Sequence, residues 1–210
     1  MATFKQGILG GISGKVGPVI GTSWKGRAVL RSRALSIHDP NTQSQIEQRA
    51  RFGLLSHFIS QVYGFVAVGF HDQATEITEA NICMKLNFDD GITGTYPAYD
   101  INYNKLILSK GTVALPYGPS ASYESGALDV IWTDNSGIGN AKADDKVMIL
   151  AYNKSKGQAL YDLAAANRST RSASFNIPSI WTGDAVEVFL AMQNADGVTS
   201  DSLYLGSFNI

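Results

Sequence analysis

The hydrophobic pattern of the chain changes at about residue 112, after which short β-like runs recur between clusters of turn residues. Six runs are evident: "ALDVIWT", "DKVMILAYN", "QALYDLA", "SASFNIP", "AVEVFLAMQN" and "SLYLGSFNI". An initial strand near residues 113–123 brings the number to about seven, the number expected of an immunoglobulin-like fold. The pattern therefore predicts an antiparallel β-sandwich over residues 112–210, with Trp132 in its core.

The preceding part of the chain contains helical spacing. Apolar residues three and four apart run from Ile46 to Val66 after a start signal at Pro40, which predicts a first helix. The same spacing predicts a second helix over residues 73–87. Alternating residues then predict a strand over 99–111.

Residues 16–33 have the pattern of two short strands around the turn sequence "WKGR", where Gly26 suits a tight turn. The glycines before this turn leave few side chains to bury, and an isolated hairpin is marginally stable in water. These strands are therefore expected to join a sheet. The sheet belongs either to the same chain, for instance to the strand at 99–111, or to another copy.

Together these elements predict a mainly β protein with two helices, in two regions. Residues 1–111 form an N-terminal assembly region with a β-hairpin, the helices and one strand. Residues 112–210 form the C-terminal antiparallel immunoglobulin-like β-sandwich.

Charge is distributed unevenly along the chain, although the net charge is only −1. Residues 1–51 contain eight basic and two acidic residues, a net charge of +6. The remainder contains nine basic and sixteen acidic residues, a net charge of −7. A basic segment attracts polyanions such as nucleic acid, but contact between opposite charges on two copies satisfies the same pattern.

Composition excludes several protein classes. The single cysteine, Cys83, cannot form a disulfide within the chain and is expected to be a buried thiol. No stretch approaches the roughly 20 apolar residues of a membrane span, so none is predicted. The N-terminal residues lack a compact apolar segment, so no secretory signal is predicted, and work outside the cell would require a non-classical route or a particle.

Candidate chemistry is sparse. The histidines at positions 38, 57 and 71 are scattered and have no metal-ligand spacing, and the acidic pairs at 89–90 and 144–145 lack the alternation of a calcium loop. We find no nucleophile elbow, P-loop or cysteine in a nucleophile context. The sequence therefore predicts no catalytic residue, no metal site and no cofactor, in a protein that is not an enzyme.

The candidate interaction residues lie in the basic, glycine-rich N-terminal segment. Those predicted to contact another subunit are Val16, Val19, Ile20, Trp24, Arg27, Val29, Arg31 and Arg33. Those that could bind a polyanion are Lys25, Arg27, Arg31, Arg33, Arg49 and Arg51.

Two resemblances bear on these expectations. The stretch "DAVEVFLAMQNADGVTSDS" resembles the last hairpin of a fibronectin type III domain, which implies an immunoglobulin-like module of adhesion, spacing or assembly. The whole chain resembles an uncharacterised bacterial domain-of-unknown-function family of about this length. That second resemblance rests on "GKVGPVIGTSWKGRAVLRSR", "NTQSQIEQRARF", "GITGTYPAYDINYNKLILSKG" and "WTDNSGIGNAKADDKVMILAYN".

The sequence favours a noncatalytic structural subunit that self-assembles through its N-terminal strand arm, as in a surface filament or another multimeric particle. Its expected partners are other copies of itself. The alternatives are a virion structural component and a nucleic-acid-binding protein that uses the basic N-terminal segment.

Overall fold

The computed structural model describes residues 3–4, 11–24, 26–34, 36 and 39–210. The chain forms two compact units, Met1–Gln43 and Ser44–Ile210. The boundary predicted at residue 112 falls inside the second of these units.

The first unit contains a four-stranded antiparallel sheet in which strands that are adjacent in sequence pair with one another. The predicted turn at Gly26 is confirmed, since this residue has φ +80° between two paired strands. Val16 belongs to a separate strand that precedes a turn at Gly17, which has φ +53°. The strands are β1 (Thr3–Phe4), β2 (Ile12–Val16), β3 (Val19–Trp24) and β4 (Arg27–Ser32).

The second unit contains three α-helices and a β-sandwich, which confirms the mainly β prediction. The helices are α1 (Gln43–Gln61), whose first residue still belongs to the first unit, α2 (Tyr63–Gly69) and α3 (Glu79–Asn87). A short hairpin follows, formed by β5 (Ile92–Thr95) and β6 (Ala98–Ile101).

All seven predicted sandwich strands are present: β7 (Tyr117–Glu124), β8 (Ala127–Thr133), β9 (Lys146–Asn153), β10 (Gln158–Asn167), β11 (Ser172–Asn176), β12 (Ala185–Gln193) and β13 (Leu203–Asn209). One sheet has the order β11-β8-β7 and the other β10-β9-β12-β13, all antiparallel. Strands one, two and five thus oppose strands three, six and seven, as in immunoglobulin-like sandwiches, and strand four pairs with strand three. Trp132 is buried in the core between the sheets, as predicted.

In the four-stranded sheet of the sandwich, the central strands β9 and β12 are buried on both faces because the helices cover the face that points away from the sandwich core. Seven of the eight residues of β9 are buried. On one face they pack in the sandwich core, and on the other they pack in a second core with helix residues: Val147, Ile149 and Ala151 in the first; Met148, Leu150 and Tyr152 in the second. This explains why β9 and β12 are almost continuously apolar instead of alternating.

The single helix predicted through Val66 is in fact two helices, α1 and α2, which bend by 85° at Val62. The bend lets both helices place aromatic residues, including Phe58 and Phe65, in one core against the sheet. In α2, Gly64 lies close to the Tyr161 side chain, which would have to move to accommodate a Cβ at this position. Apolar spacing alone continues across the bend, which is why the sequence did not reveal it.

The second predicted helix begins later than residue 73. The Oγ1 of Thr78 accepts a hydrogen bond from the Asn81 amide at 3.4 Å and caps α3 at its start. Residues 71–73 form a separate 3-10 turn. The predicted start was therefore wrong because the cap lies after the first apolar residues of the pattern.

The strand predicted over 99–111 exists only as far as Ile101. Further on, Ile107 has its backbone bound by a side chain instead of a neighbouring strand. The Asn87 amide donates to the Ile107 carbonyl at 2.8 Å, and its oxygen accepts from the Ile107 N–H at 2.7 Å. The buried Asn87 side chain thus supplies the backbone hydrogen-bond partners that a neighbouring strand would otherwise supply.

Among the described residues, no single helix has the length and apolar composition to cross a membrane, and only the bent pair α1–α2 passes that test together. The buried residues of both helices belong to the helix-side core of the second unit.

Candidate functional site

The register of the N-terminal sheet sorts the predicted contact residues onto two faces. Side chains alternate between the faces along a strand, and cross-strand partners share a face. Ile20 pairs with Lys15 on one side and with Arg31 on the other, which places all three on one face. Val19 pairs with Val16 and Ser32 and therefore belongs to the opposite face.

We call the face that contains Val19 the apolar face. One cross-strand row on this face consists of Gly14, Gly21 and Leu30, and the neighbouring row contains Val16 and Val19. Leu30 is 61% exposed and Val16 is 51% exposed. Gly21 is the only buried residue among the described positions from 11 to 34. The apolar face therefore has little core of its own.

We call the face that contains Ile20 the basic face. Besides the row formed by Lys15, Ile20 and Arg31, it contains the cross-strand pair Trp24 and Arg27. Trp24 is 51% exposed. The face thus combines cationic side chains with an accessible indole ring, the combination that binds phosphates and stacked bases in proteins that bind single-stranded nucleic acid.

The outer edge of β4 is a third interaction feature. β4 stands last in the strand order and pairs with β3 alone among the described strands. All six of its residues are exposed. A terminal strand presents backbone N–H and C=O groups on its outer side, which another strand can pair with.

The other predicted basic residues are distributed differently. Lys25 lies outside the described residues. Arg33 follows β4, and its backbone N–H donates to the Pro18 carbonyl. The remaining two, Arg49 and Arg51, are in α1 in the second unit. The six predicted polyanion-binding residues are thus not all on one sheet.

Arg51 has a structural role that the sequence did not indicate. Its guanidinium donates to the Phe88 carbonyl at 2.9 Å and stacks 4.8 Å from the centre of the Phe88 ring. It also lies 3.8 Å from the Asp89 carboxylate. Arg51 therefore ties α1 to the end of α3, which reduces its availability to a polyanion.

A buried ionic cluster at one end of the sandwich was also missed. Arg168 is fully buried, and its guanidinium donates to the Asp145 carboxylate at 2.9 Å and to the Asn135 oxygen at 2.6 Å. The carbonyl of Arg168 accepts from the Trp132 indole at 2.8 Å. A buried charge pair with this many partners fixes the strand ends that carry it, and removal of one partner is costly. Hydrophobic patterning gives no signal for such a pair.

Reactive groups in the described residues are few. No group of three or more His, Cys, Asp or Glu side chains in the described part of the chain could hold a metal ion. Cys83 is buried, as predicted, and burial raises the pKa of its thiol to about 12, although a hydrogen bond with Asn87 opposes the shift. A thiol with so high a pKa is a poor nucleophile at neutral pH.

The family to which the chain belongs is evident over nearly its whole length. The family model DUF6266, described as a family of unknown function, matches residues 11–206. The chain belongs to this family. The DUF6266 match begins just before β2 in the first unit and ends within β13 of the second, so both units belong to the family's pattern. No curated protein matches the chain.

Proposed function

We propose that the chain is a noncatalytic structural subunit that self-assembles through its N-terminal sheet, in a surface filament or another multimeric particle such as a virion. The observation that carries the proposal is the exposure of this sheet. Its strands pair with one another, but the outer edge of β4 pairs with no described strand and the side chains of β4 are all exposed. A sheet requires a covering layer on at least one face to be stable, and a second copy supplies one.

The apolar face provides the hydrophobic part of the contact. Full burial of a valine or leucine side chain contributes about 1.5–3 kcal/mol. Val16, Val19 and Leu30 are each more than one-third exposed and lie together on this face. Burial of these three against another copy would contribute at most about 9 kcal/mol, which is comparable to the cost of association, so the contact also requires the charge attraction described next.

Charge indicates which part of the other copy the sheet meets. The first unit contains six basic residues and one acidic residue, a net charge of +5, which leaves the second unit with −6. Two N-terminal sheets would repel through like net charge, whereas the second unit of another copy attracts the sheet through opposite net charge at long range. Lys15, Arg27 and Arg31 lie on the basic face, so this attraction guides the approach and does not place ion pairs in the apolar contact. Such a head-to-tail contact extends into a filament unless its rotation closes a ring.

A charge placed on the apolar face tests the proposal. We expect Leu30→Lys to weaken self-association by about 100-fold or more, since it removes an apolar contact and desolvates an ammonium group. The matched control is Val29→Lys, which makes nearly the same change at a 40%-exposed neighbour in β4 that pairs with Thr22 and therefore lies on the basic face. Sedimentation velocity over a concentration series, after nuclease treatment, gives the readout.

The proposal fails if the Leu30→Lys protein assembles as the unmodified chain does. It also fails if Val29→Lys is equally disruptive, because the effect would then reflect added charge and not the apolar face.

The basic face favours a second candidate function, the binding of single-stranded nucleic acid. Lys15, Arg27 and Arg31 share this face with the exposed Trp24 ring. If this face binds nucleic acid, affinity for a labelled oligonucleotide should fall steeply with salt, and Trp24→Ala should weaken it by about 1–3 kcal/mol through lost stacking. Affinity that is independent of salt, or equal for Trp24→Ala and the unmodified chain, would contradict this candidate.

A further inference from the structure

A cleft in the second unit lies between the helical layer and two strand connections. It has a volume of about 380 Å³, near the lower end for small-molecule sites. Side chains from α1, from the β5–β6 hairpin and the turn after it, and from the β9–β10 turn line it. The residues that matter for its chemistry are His57, Phe58, Asp100, Tyr103, Tyr152 and Lys154.

The floor of the cleft is aromatic. Phe58 packs edge-on against Tyr152, with ring centres 4.9 Å apart, and the Tyr103 and Tyr152 rings are 6.1 Å apart. Burial raises the pKa of both tyrosines, and nearby groups including Asp100 add to that effect. Both phenols therefore remain protonated at neutral pH and can donate as well as accept hydrogen bonds.

Charged groups at the rim of the cleft occur in pairs. The Lys154 ammonium binds the Asp100 carboxylate, and the Lys156 ammonium binds Asp184 at 2.8 Å. Burial on its own would raise the pKa of Asp100, but hydrogen bonds from Lys154 and from the Ile101 amide outweigh it and hold the pKa below its ordinary value. The rim therefore offers carboxylate acceptors and ammonium donors with little net charge.

The aromatic floor and the paired rim charges together favour one class of ligand over others. An anion would have to draw Lys154 from Asp100, and a cation would have to draw Asp100 from Lys154, each at a desolvation cost. A polyhydroxylated neutral ring can donate to the carboxylate and accept from the ammonium while the pair stays intact. Its C–H face can also pack on the half-buried Tyr103 ring, which the buried Phe58 and Tyr152 rings support from behind. From the aromatic floor and the paired rim charges, we infer that the cleft binds a neutral carbohydrate.

This inference does not depend on self-assembly, because the cleft lies within the second unit. The test is saturation-transfer difference NMR on the full chain with cellobiose, maltose, lactose and N,N′-diacetylchitobiose at millimolar concentrations. Glucuronic acid and glucosamine serve as the charged comparisons. We expect transfer to at least one neutral disaccharide and weaker transfer to the charged sugars.

Two variants locate the binding in the cleft. Asp100→Asn and Lys154→Gln each remove one hydrogen-bonding partner at a half-exposed position, so both proteins should fold. Each substitution should lower the affinity for the disaccharide by about threefold to tenfold, the effect of one lost hydrogen bond. The matched control, Asp144→Asn, alters an exposed aspartate outside the cleft and should leave affinity unchanged.

The inference is overturned by any of three results: no transfer to any of the four disaccharides, tighter binding of a charged sugar than of the neutral ones, or affinity that neither variant lowers.

Discussion

Strands β4 and β9 illustrate how differently the two units of the chain are stabilised. All six residues of β4 are exposed, whereas seven of the eight residues of β9 are buried. β9 lies between two cores, one formed with the opposite sheet and one formed with the helices. The second unit therefore contains its own stabilising contacts, whereas the first leaves apolar side chains available for another molecule.

The two units differ less in backbone pairing than in side-chain burial. In the first unit β3 has a neighbour on each side, so its backbone is satisfied within the chain. What remains unsatisfied is the side-chain surface and the outer edge of β4. The N-terminal strands thus pair with one another within the unit. We propose that another copy provides the layer that covers their exposed side chains.

The largest expected effect is in the second unit, at the buried ion pair. Arg168→Leu leaves the Asp145 carboxylate buried without its cation, and Asp145 Oδ1 already has no hydrogen-bond partner. We expect a loss of about 3–5 kcal/mol in the free energy of unfolding. Urea titration followed by far-ultraviolet circular dichroism measures it, and an unchanged midpoint would show that the pair does not hold the sandwich end together.

The second prediction concerns a substitution in the first unit that should leave the stability of the second unit unchanged. A Cβ at Gly21 would lie 2.1 Å from the Ile12 carbonyl oxygen, so Gly21→Ala forces β2 and β3 apart. We expect self-association to fall by about tenfold or more, while the unfolding of the second unit stays within about 0.5 kcal/mol, as for distant surface changes.

Gly53→Ala is the matched control for Gly21→Ala. It makes the same chemical change in α1, where a Cβ would meet nothing within 4 Å. It should stabilise the helix by about 0.5–1 kcal/mol and leave association unchanged. Loss of assembly in both variants would contradict the division of roles between the units.

The smallest predicted effect concerns pH. Because the folded-state pKa of Asp100 is below its ordinary value, the stability contributed by its pair with Lys154 is full above the ordinary pKa and is lost as pH falls through the folded-state value. Lys154→Gln should therefore lower stability at neutral pH by less than about 1 kcal/mol, and the difference should vanish in acid. A constant difference at every pH, measured by urea titration, would contradict this assignment.

The sequence predicted the sandwich well because each strand carries a local signal. The runs around Leu128, Leu150 and Leu190 are apolar segments between turn residues, and all three are buried in the strands expected. The N-terminal turn at Gly26 was found for the same reason, since a positive φ favours glycine.

Features that depend on contacts between distant residues were not predictable in this way. The bend at Val62 depends on how α1 and α2 pack on the sheet, and the loss of the strand after Ile101 depends on Asn87 in α3. The cleft joins Asp100 to Lys154, which are far apart in sequence. The basic and apolar faces follow from the register that pairs β2, β3 and β4, which the pattern of a single strand does not give.

The N-terminal sheet is the proposed contact between copies, and sedimentation velocity of a shortened chain tests this role directly. A chain that lacks residues 1–42 should be folded and monomeric at every concentration, while the full chain forms species that grow with concentration. Added in excess, the shortened chain should also cap the assemblies of the full chain, because it retains the second unit that the sheet of another copy binds. The claim is contradicted if the shortened chain forms the same assemblies, or if the full chain remains a monomer throughout.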